Sequence, residues 1–456
     1  MSEQDKRFQD RMATRQRMEQ VVEIGIPIIA GSALVVEGKS FGSTDVETTR
    51  KLVQAVAPVT VENYKLHEHL QLTAKFARKI GQHLKASGSE EYQYLNLDEL
   101  ESLALLHDFG RFTTNRFFRN DIIENLEFKN MGVRRDVLDK LPSLSVYMNK
   151  DPQDVDEVAE TFSQLTPYQR IIELADIHGK RRDDGTVTTY DEVMVYHRTS
   201  RLVTGDELYP SERKKSQQFI DYCERVYERL RTWSSENGAD MKDIKEEIAA
   251  EEFESPISSI IFDIGNVLLP DPETELIPDI AASFGISTED AAAAWPSSTP
   301  SLQIGQISED EMWELFSRKV NKPLPPNYLD LSWRRLRTTE DPEVRAIIKD
   351  LKSHGYKLAA VSDTIPSHAR VLSAAGLYQD FDQVILSPEV GASKKRSTDH
   401  EMFRIAALKM WVPPQACFFI DDIASYVESA KEVGIEGVQY ASADMLRSNL
   451  SARGIL

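Results

Sequence analysis

The stretch that decides the fold of the C-terminal half is SSIIFDIGNVLLPD, residues 258–271. Its apolar run Ile260-Ile261-Phe262 has the length of a strand buried on both faces, and Asp263 stands where that strand ends. Four more short apolar segments follow it, separated by helical patterns: YKLAAVSD, FDQVILS, QACFFIDD and IEGVQYA. This alternation predicts a parallel sheet covered by helices, that is, a Rossmann-like α/β domain.

Polar residues end three of these predicted strands, at positions 263, 362–363 and 421–422. Parallel sheets bind their ligands at the carboxyl ends of the strands, so we expect these residues to form one site. The segment of about 273–338 has a helical pattern and lies between the first two strands. It predicts a helical cap over that edge of the sheet.

The motifs of this half resemble those of the haloacid dehalogenase-like (HAD) hydrolases, in the helical-cap phosphatase branch of that superfamily. FDIGNVL is similar to the first family motif, SDT to the second, SPEVGASKK to the third and FFIDD to the fourth. LQIGQISEDEMWELF also resembles a common cap sequence. The motifs keep the family's order between about residues 257 and 440, and the acidic pair Asp421-Asp422 favours phosphate chemistry over halide chemistry.

The resemblance implies a phosphatase that works through an aspartyl-phosphate. Asp263 is the expected nucleophile, and water then hydrolyses the intermediate, which divides one difficult step into two. Mg²⁺ suits a site made of carboxylates and a substrate phosphate, so it is the expected cation. The implied ligands are Asp263, the carbonyl of Gly265 and Asp422. Asp421 is expected to support them, although the sequence does not rank the two adjacent acids.

Two further side chains complete the implied site. The Ser362 hydroxyl is expected to donate a hydrogen bond to a phosphoryl oxygen, and the Lys394 ammonium is expected to neutralise developing charge. Taken singly, a strand-end aspartate is more often a helix cap, and a lysine is more often a solvated charge. The ordered set of motifs is what favours the catalytic interpretation.

Three positions depart from the family pattern. Gly265 stands two residues after Asp263, where the family commonly has a general acid that also binds metal through its carbonyl. Glycine keeps the carbonyl and loses the acid, a loss of about 10²- to 10⁴-fold in typical cases. Some sugar-phosphate phosphatases of the family carry a similar D-x-G-N opening. Lys395 and Tyr426 replace a common proline and a common asparagine, which leaves the substrate contacts open.

The N-terminal half has a helical texture from about residue 61 to 233, which predicts an all-α domain. Within it, LALLHDFGRF places His107 and Asp108 side by side in an apolar helix. A buried charged pair is costly unless something compensates it, and a bound metal would do so. HLQLTAKFARKI supplies His69 upstream, and RIIELADIHGK supplies Asp176 downstream.

This pattern of H, then HD, then D resembles the HD-domain metal-dependent phosphohydrolases over about residues 64–201. The resemblance implies ligation by His69, His107, Asp108 and Asp176, and a metal-bound water as nucleophile. His67 competes with His69, although the family register favours His69. The mixed nitrogen and oxygen ligands suit Mn²⁺, Fe²⁺, Co²⁺, Ni²⁺ or Mg²⁺. We expect one metal, because Phe128 and Lys129 occupy the region where some relatives have a further histidine. Arg111, which follows the pair by about one helical turn, is expected either to contact phosphate or to form a surface salt bridge.

The sequence as a whole predicts a multidomain protein. Its 456 residues divide into an N-terminal extension of unknown role (1–60), the HD-type domain (61–233), an acidic linker (234–256) and the HAD-like domain (257–456). The formal charge of -20 disfavours binding to nucleic acid or to an anionic membrane. Two cysteines and the lack of a signal-like or membrane-spanning segment predict a cytoplasmic location. The oligomeric state is not encoded in any readable pattern.

The leading hypothesis is a bifunctional metal-dependent phosphohydrolase that acts on small phosphorylated metabolites or nucleotides. A second hypothesis keeps one catalytic half and makes the other a regulatory or ligand-binding module; the HAD-like half is the candidate, given Gly265. A third is a phosphatase that processes nucleic-acid ends, which the acidic charge disfavours.

Overall fold

The computed structural model of the chain describes residues 28–29, 34–36, 39–41, 46–56, 58–108, 162–182, 185–188, 192, 217–270, 273–395 and 400–456. The expected helical start of the N-terminal extension, Arg111, Phe128 and Lys129 lie outside these residues. The described residues divide into two compact units. The first lies within 1–58, 65–182 and 186–251, and the second within 59–64, 183–185 and 252–456.

Among its described residues, the first unit consists mainly of helices and has a small antiparallel sheet near its start. The sheet consists of β1 (Ile28–Ile29), β2 (Leu34–Val36) and β3 (Lys39–Phe41), joined in that order. The helices are α1 (Val46–Val56), α2 (Tyr64–Ala86), α3 (Glu90–Gln93), α4 (Leu97–Leu106), α5 (Pro167–His178), α6 (Gln217–Glu236) and α7 (Met241–Phe253). The all-α prediction for this half is thus confirmed.

Local sequence explains where α4 and α5, the helices nearest three of the predicted metal ligands, begin. The Asn96 side chain accepts hydrogen bonds from the backbone N–H groups of Asp98 and Glu99, which satisfies two of the unpaired donors at the start of α4. Thr166 and Gln169 form a reciprocal capping box at the start of α5, and Pro167 occupies its first turn. The two helices that carry most of the predicted ligands therefore start at defined residues.

The segment expected to be a linker contains the end of α6 and all of α7. Ile244 and Ile248 of α7 are buried, and the helix is ion-paired to α2 through Lys79 and Glu251. These contacts place residues up to 251 within the helical unit. The predicted domain boundaries, including the linker of residues 234–256, stay predictions from the sequence.

The second unit is built on a five-stranded parallel sheet in the order β6-β5-β4-β7-β8. Its strands are β4 (Ser259–Phe262), β5 (Lys357–Ser362), β6 (Gln383–Leu386), β7 (Cys417–Asp421) and β8 (Glu436–Gln439). The helices that alternate with them after the cap are α12 (Pro342–Ser353), α13 (Pro366–Ala374), α14 (Ser387–Val390), α15 (Glu401–Met410), α16 (Ala424–Glu432) and α17 (Ala443–Ala452). The prediction of a Rossmann-like α/β domain is confirmed.

A helical insertion follows the first strand, as the sequence predicts. It contains α8 (Glu273–Phe284), α9 (Thr288–Ser298), α10 (Pro300–Gln303), α11 (Glu309–Val320) and a 3₁₀ turn over Tyr328–Ser332. The insertion has its own apolar core, in which Trp295, Trp313 and Phe316 pack on one another. A separate core lets the cap keep its shape apart from the sheet.

Residues 59–64 also belong to the second unit. The Val61 N–H donates to the Val390 carbonyl at 2.8 Å, and Val59 and Tyr64 lie in the core on one face of the sheet. Within the described residues, no helix combines the length and hydropathy needed to cross a membrane.

Candidate active sites

The carboxyl edge of the parallel sheet gathers the predicted HAD-like residues. Asp263 follows β4, and the neighbouring strands β5 and β7 end at Ser362 and Asp421. Parallel pairing brings the ends of these strands to one edge, so residues about 100 and 160 positions apart in the chain become neighbours. Oxygens of Asp263, Asp421 and Asp422 lie within 4.8 Å of one another, a spacing suited to one cation.

Lys394 lies between two of these carboxylates. Its Nζ is 2.7 Å from Asp263 Oδ1 and 2.6 Å from Asp421 Oδ2, and the side chain is 1% exposed. A lysine this buried is costly unless it is paired, so the two contacts account for its position. The ammonium therefore holds the expected nucleophile from one side.

The charges in this cluster shift one another's pKa values. Burial raises the pKa of Asp263, and the Lys394 ammonium opposes that rise. Burial alone would lower the pKa of Lys394, but the carboxylates of Asp263 and Asp421 outweigh it and raise the value. Lys394 thus stays protonated, and a divalent cation beside the three carboxylates would further favour their ionised forms.

The adjacent acids Asp421 and Asp422 have different environments. Asp421 is fully buried, with Oδ2 on Lys394 and Oδ1 accepting the Ile423 N–H at 2.8 Å. Asp422 is partly exposed, and its Oδ2 accepts a hydrogen bond from Asn266 Nδ2 at 3.2 Å. Asp421 is therefore the acid held within the protein, and Asp422 is the one that faces the open side of the site.

Gly265 is not required by the backbone at its position. It is absent from the residues with positive φ, and a Cβ built on it would meet nothing within 4 Å. A side chain would therefore fit without strain. The missing acid is a chemical feature of this site and does not follow from steric crowding.

Two residues support Lys394 in ways that the motifs did not predict. Asp363 Oδ1 accepts the backbone N–H of Lys394 at 3.0 Å, which ties the second motif to the third. The Tyr426 ring lies 5.0 Å from Lys394 Nζ, within cation–π range. The sequence showed Asp363 as a polar strand end and Tyr426 as a departure from the family. Ser362 is 7% exposed at the end of β5, and its role as a donor stays a prediction from the sequence.

A second constellation lies in the helical unit, where three helices bring four predicted ligands together. His69 lies on α2, His107 and Asp108 end α4, and Asp176 lies on α5. One ligand atom from each lies within 4.8 Å of all the others. The competing His67 is not in this set, so the geometry favours His69.

The distances in this set suit one metal ion. Asp176 Oδ1 is 2.9 Å from His69 Nε2 and 3.3 Å from His107 Nε2, while Asp108 Oδ2 is 3.8 Å from each imidazole. Two ligands bound at about 2.1 Å and at right angles lie about 3.0 Å apart, and wider angles lengthen that separation. The residues therefore fit a divalent cation with mixed nitrogen and oxygen ligands.

Both histidines are held in the orientation that metal binding requires. His69 Nδ1 is 2.7 Å from the Gly179 carbonyl, and His107 Nδ1 is 2.6 Å from the Ala104 carbonyl. A carbonyl only accepts, so each Nδ1 carries a proton; with a cation bound, each Nε2 would direct its lone pair to that cation. Such outer hydrogen bonds fix the tautomer of metal-bound histidines.

Comparison with known proteins agrees with both predicted domain types. A family model described as haloacid dehalogenase-like hydrolase matches residues 257–434, and one described as HD domain matches residues 66–225. The chain carries an HD domain followed by a HAD-like hydrolase domain. Both domain types, together with a related phosphatase, make it a phosphohydrolase.

The related phosphatase is Phosphatase MT3486 of Mycobacterium tuberculosis (strain CDC 1551 / Oshkosh). The two proteins are 24% identical over 193 residues, and the match covers 39% of this chain and 85% of that protein. Among solved structures, the HAD family enzyme bt-2542 from Bacteroides thetaiotaomicron in complex with magnesium and inorganic phosphate is 18% identical, with a TM-score of 0.35 over 41% of this chain and 94% of that one. A predicted HAD-like family hydrolase from Porphyromonas gingivalis is 21% identical, with a TM-score of 0.37. The match covers 43% of this chain and 98% of that one.

Proposed function

We propose that the protein is a bifunctional phosphohydrolase of small phosphorylated metabolites or nucleotides, with one catalytic centre in each domain. The observation that carries the proposal is that each domain assembles a complete set of charged ligands from distant parts of the sequence. The two sets differ in chemistry, since one contains three carboxylates and a lysine and the other contains two imidazoles and two carboxylates.

In the HAD-like domain, Asp263 is the nucleophile. Its Oδ1 is paired with Lys394, so the ammonium fixes the carboxylate and offers positive charge beside the incoming phosphate. Mg²⁺ held by Asp263, the Gly265 carbonyl and Asp422 would reduce the repulsion between nucleophile and phosphate. Asp421 supports this arrangement through Lys394, and the Ser362 hydroxyl donates to a phosphoryl oxygen. Water then hydrolyses the aspartyl-phosphate and restores Asp263.

In the HD domain, His69, His107, Asp108 and Asp176 would hold one divalent cation. Mn²⁺, Fe²⁺, Co²⁺, Ni²⁺ or Mg²⁺ bound there supplies a nucleophilic water at neutral pH. The protein's part is to exclude solvent, since Asp108 and His107 are buried, and to keep both Nε2 atoms directed at one point. Arg111 lies outside the described residues, and its contact with phosphate remains a prediction from the sequence.

One observation favours a second function for the HAD-like domain. Gly265 removes the usual acid, which suits a domain that binds a phosphorylated ligand and regulates the HD domain. The retained nucleophile, lysine and acidic cluster favour catalysis instead. We place the protein in the cytoplasm, with a small phosphorylated substrate as its partner.

The test is a phosphatase screen of the full chain against phosphorylated metabolites and nucleotides with Mg²⁺, Mn²⁺, Co²⁺ and Ni²⁺. Asp263→Asn should remove one set of activities, and Asp108→Ala should remove a different set. If Asp263→Asn abolishes the turnover of no substrate but changes the level of the activity that Asp108→Ala removes, the HAD-like domain is a regulatory module. If neither variant changes any turnover, both site assignments are wrong.

A further inference from the structure

Gly179, which follows the last residue of α5, lies directly against Thr73 of α2. A Cβ built at this position would overlap the Thr73 hydroxyl, and it would lie 3.1 Å from Thr73 N and 3.2 Å from Thr73 Cα. The backbone of Gly179 has φ -72° and ψ 57°, so no left-handed conformation demands a glycine here. Close packing against α2 is therefore the reason that this position has no side chain.

Two contacts join Gly179 to α2, and they lie one helical turn apart. Thr73 packs against the Gly179 Cα, while His69, four residues earlier, places Nδ1 2.7 Å from the Gly179 carbonyl. Residues four apart lie on the same face of a helix, so both contacts belong to one surface. Gly179 is also tied to the end of α5, because its N–H bonds to the Asp176 carbonyl at 3.4 Å. It thus contacts the helices that supply two of the proposed ligands.

The Thr73 side chain is unable to move away easily. It is fully buried, and its β-branched side chain has few favourable rotamers in a helix. Its hydroxyl oxygen has no hydrogen-bond partner among the described residues, so this side chain fills space beside Gly179 without contributing a polar contact. Any side chain at position 179 would have to separate α2 from α5.

We infer that Gly179 is a positioning residue of the HD metal centre: its bare Cα lets α2 and α5 pack closely enough for its carbonyl to orient His69 toward Asp176. The inference rests on the proposed metal binding by this site. Separation of the helices would lengthen both the hydrogen bond to Nδ1 and the 2.9 Å distance from His69 Nε2 to Asp176 Oδ1. Metal sites tolerate displacements of only a few tenths of an ångström.

The test uses the full chain carrying Asp263→Asn and Asp422→Asn, so that the HD site dominates metal binding, and follows Mn²⁺ titration of the metal-free protein by calorimetry. Gly179→Ala should weaken Mn²⁺ binding by about 10- to 100-fold, the usual effect of losing an outer contact to a histidine ligand. Thr73→Ala alone should bind Mn²⁺ as the parent does. Adding Thr73→Ala to Gly179→Ala should recover part of the lost affinity, because the overlap with the hydroxyl is removed while the close contacts with the Thr73 backbone remain.

A second readout separates positioning from general destabilisation. Nitrogen-15 NMR of labelled histidine in the metal-free protein should show a slowly exchanging Nδ1 proton on His69, assigned with His69→Gln, because the Gly179 carbonyl accepts its hydrogen bond. Gly179→Ala should lose that protection from exchange. Ile248→Ala, which leaves a cavity in the core of the same domain, should lower the melting temperature while keeping the protected proton.

The inference is overturned if Gly179→Ala keeps the parent's Mn²⁺ affinity and the protected Nδ1 proton of His69, or if adding Thr73→Ala recovers none of the lost affinity. If Gly179→Ala does not fold, the same double variant must restore both the fold and the binding, and failure to do so also overturns it. A parent that does not bind Mn²⁺, Co²⁺ or Ni²⁺ would instead refute the proposed metal site itself.

Discussion

Substitution of Gly265 by aspartate should raise the turnover of alkyl phosphates by the HAD-like domain. The nucleophile and the charged cluster are in place, but an alkoxide leaving group needs a proton that glycine cannot donate. The substituted side chain has room, because a Cβ at position 265 meets nothing within 4 Å and the backbone does not have positive φ. We therefore expect the variant to fold.

The electrostatics of the site favour the protonated form of an added carboxyl. Three carboxylates already lie within 4.8 Å of one another, and Lys394 compensates only one of their charges. Before a cation binds, a fourth acid in this field would have a raised pKa, because like charges disfavour ionisation, and bound Mg²⁺ would offset part of that rise. An acid that keeps its proton near neutral pH is suited to protonating a leaving group.

General acid catalysis contributes about 10²- to 10⁴-fold, which corresponds to about 2.7 to 5.5 kcal/mol of transition-state stabilisation. We expect Gly265→Asp to raise kcat for an alkyl phosphate such as glycerol phosphate by at least about 10²-fold. The gain on p-nitrophenyl phosphate should be much smaller, because its phenolate leaves without protonation. Gly265→Asn, of the same size but without an acidic proton, is the matched control and should give no gain on either substrate.

The assay compares kcat and KM for both substrates at several pH values with saturating Mg²⁺. The alkyl rate of Gly265→Asp should fall as pH rises through the pKa of the new acid, whereas the Asn control should lack that limb. Equal gains on alkyl and aryl substrates, or loss of alkyl turnover in a folded variant, would refute the reasoning. Either result would mean that another group already serves as the acid.

Three further predictions concern the two sites and the division of the chain. Asp263→Asn should abolish every activity of the HAD-like domain, including that on aryl phosphates, because no nucleophile remains; residual phosphate release that needs an intact HAD-like domain would contradict this. His107→Ala and Asp108→Ala should each lower the metal content of the purified protein, measured by mass spectrometry, whereas His83→Ala, which removes a partner of Glu247 and no proposed ligand, should not. A fragment of residues 252–456 should be folded, as measured by circular dichroism. It should melt at a lower temperature than the same domain in the full chain, because the fragment lacks the short segment of residues 59–64 that packs in the core of that domain. An unfolded fragment would show that this segment is essential.

The sequence by itself determined the fold class and the order of the site residues. Strand-length apolar runs and helical periodicity are local properties, so β4 and its neighbours, the cap and the helical domain are predictable from short windows. The polar residues at the strand ends follow from the same logic, because a parallel sheet places those ends at one edge. The adjacent pair His107-Asp108 was detectable since charged residues rarely interrupt an apolar helix without compensation.

Only the tertiary structure decided which groups touch. Lys394 and Asp421 are separated by 27 positions and meet through parallel pairing, and this contact distinguishes the buried Asp421 from the exposed Asp422. The helix α7, which lies within the predicted linker, packs against α2 through the side chains of Lys79 and Glu251, about 170 positions apart. No local sequence pattern reveals a contact over that separation. Tyr426 and Asp363 gain their contacts with Lys394 in the same way.

The choice of His69 over His67 has the same physical origin. The two residues are two positions apart on α2, so they point to different faces, and the sequence alone does not show which face meets α5. That orientation depends on the close approach at Gly179, 110 positions from His69, where the missing Cβ sets the distance between the helices. The distance between two helices results from the simultaneous packing of many side chains at near-crystalline density. Sequence patterns indicate only which residues face a core.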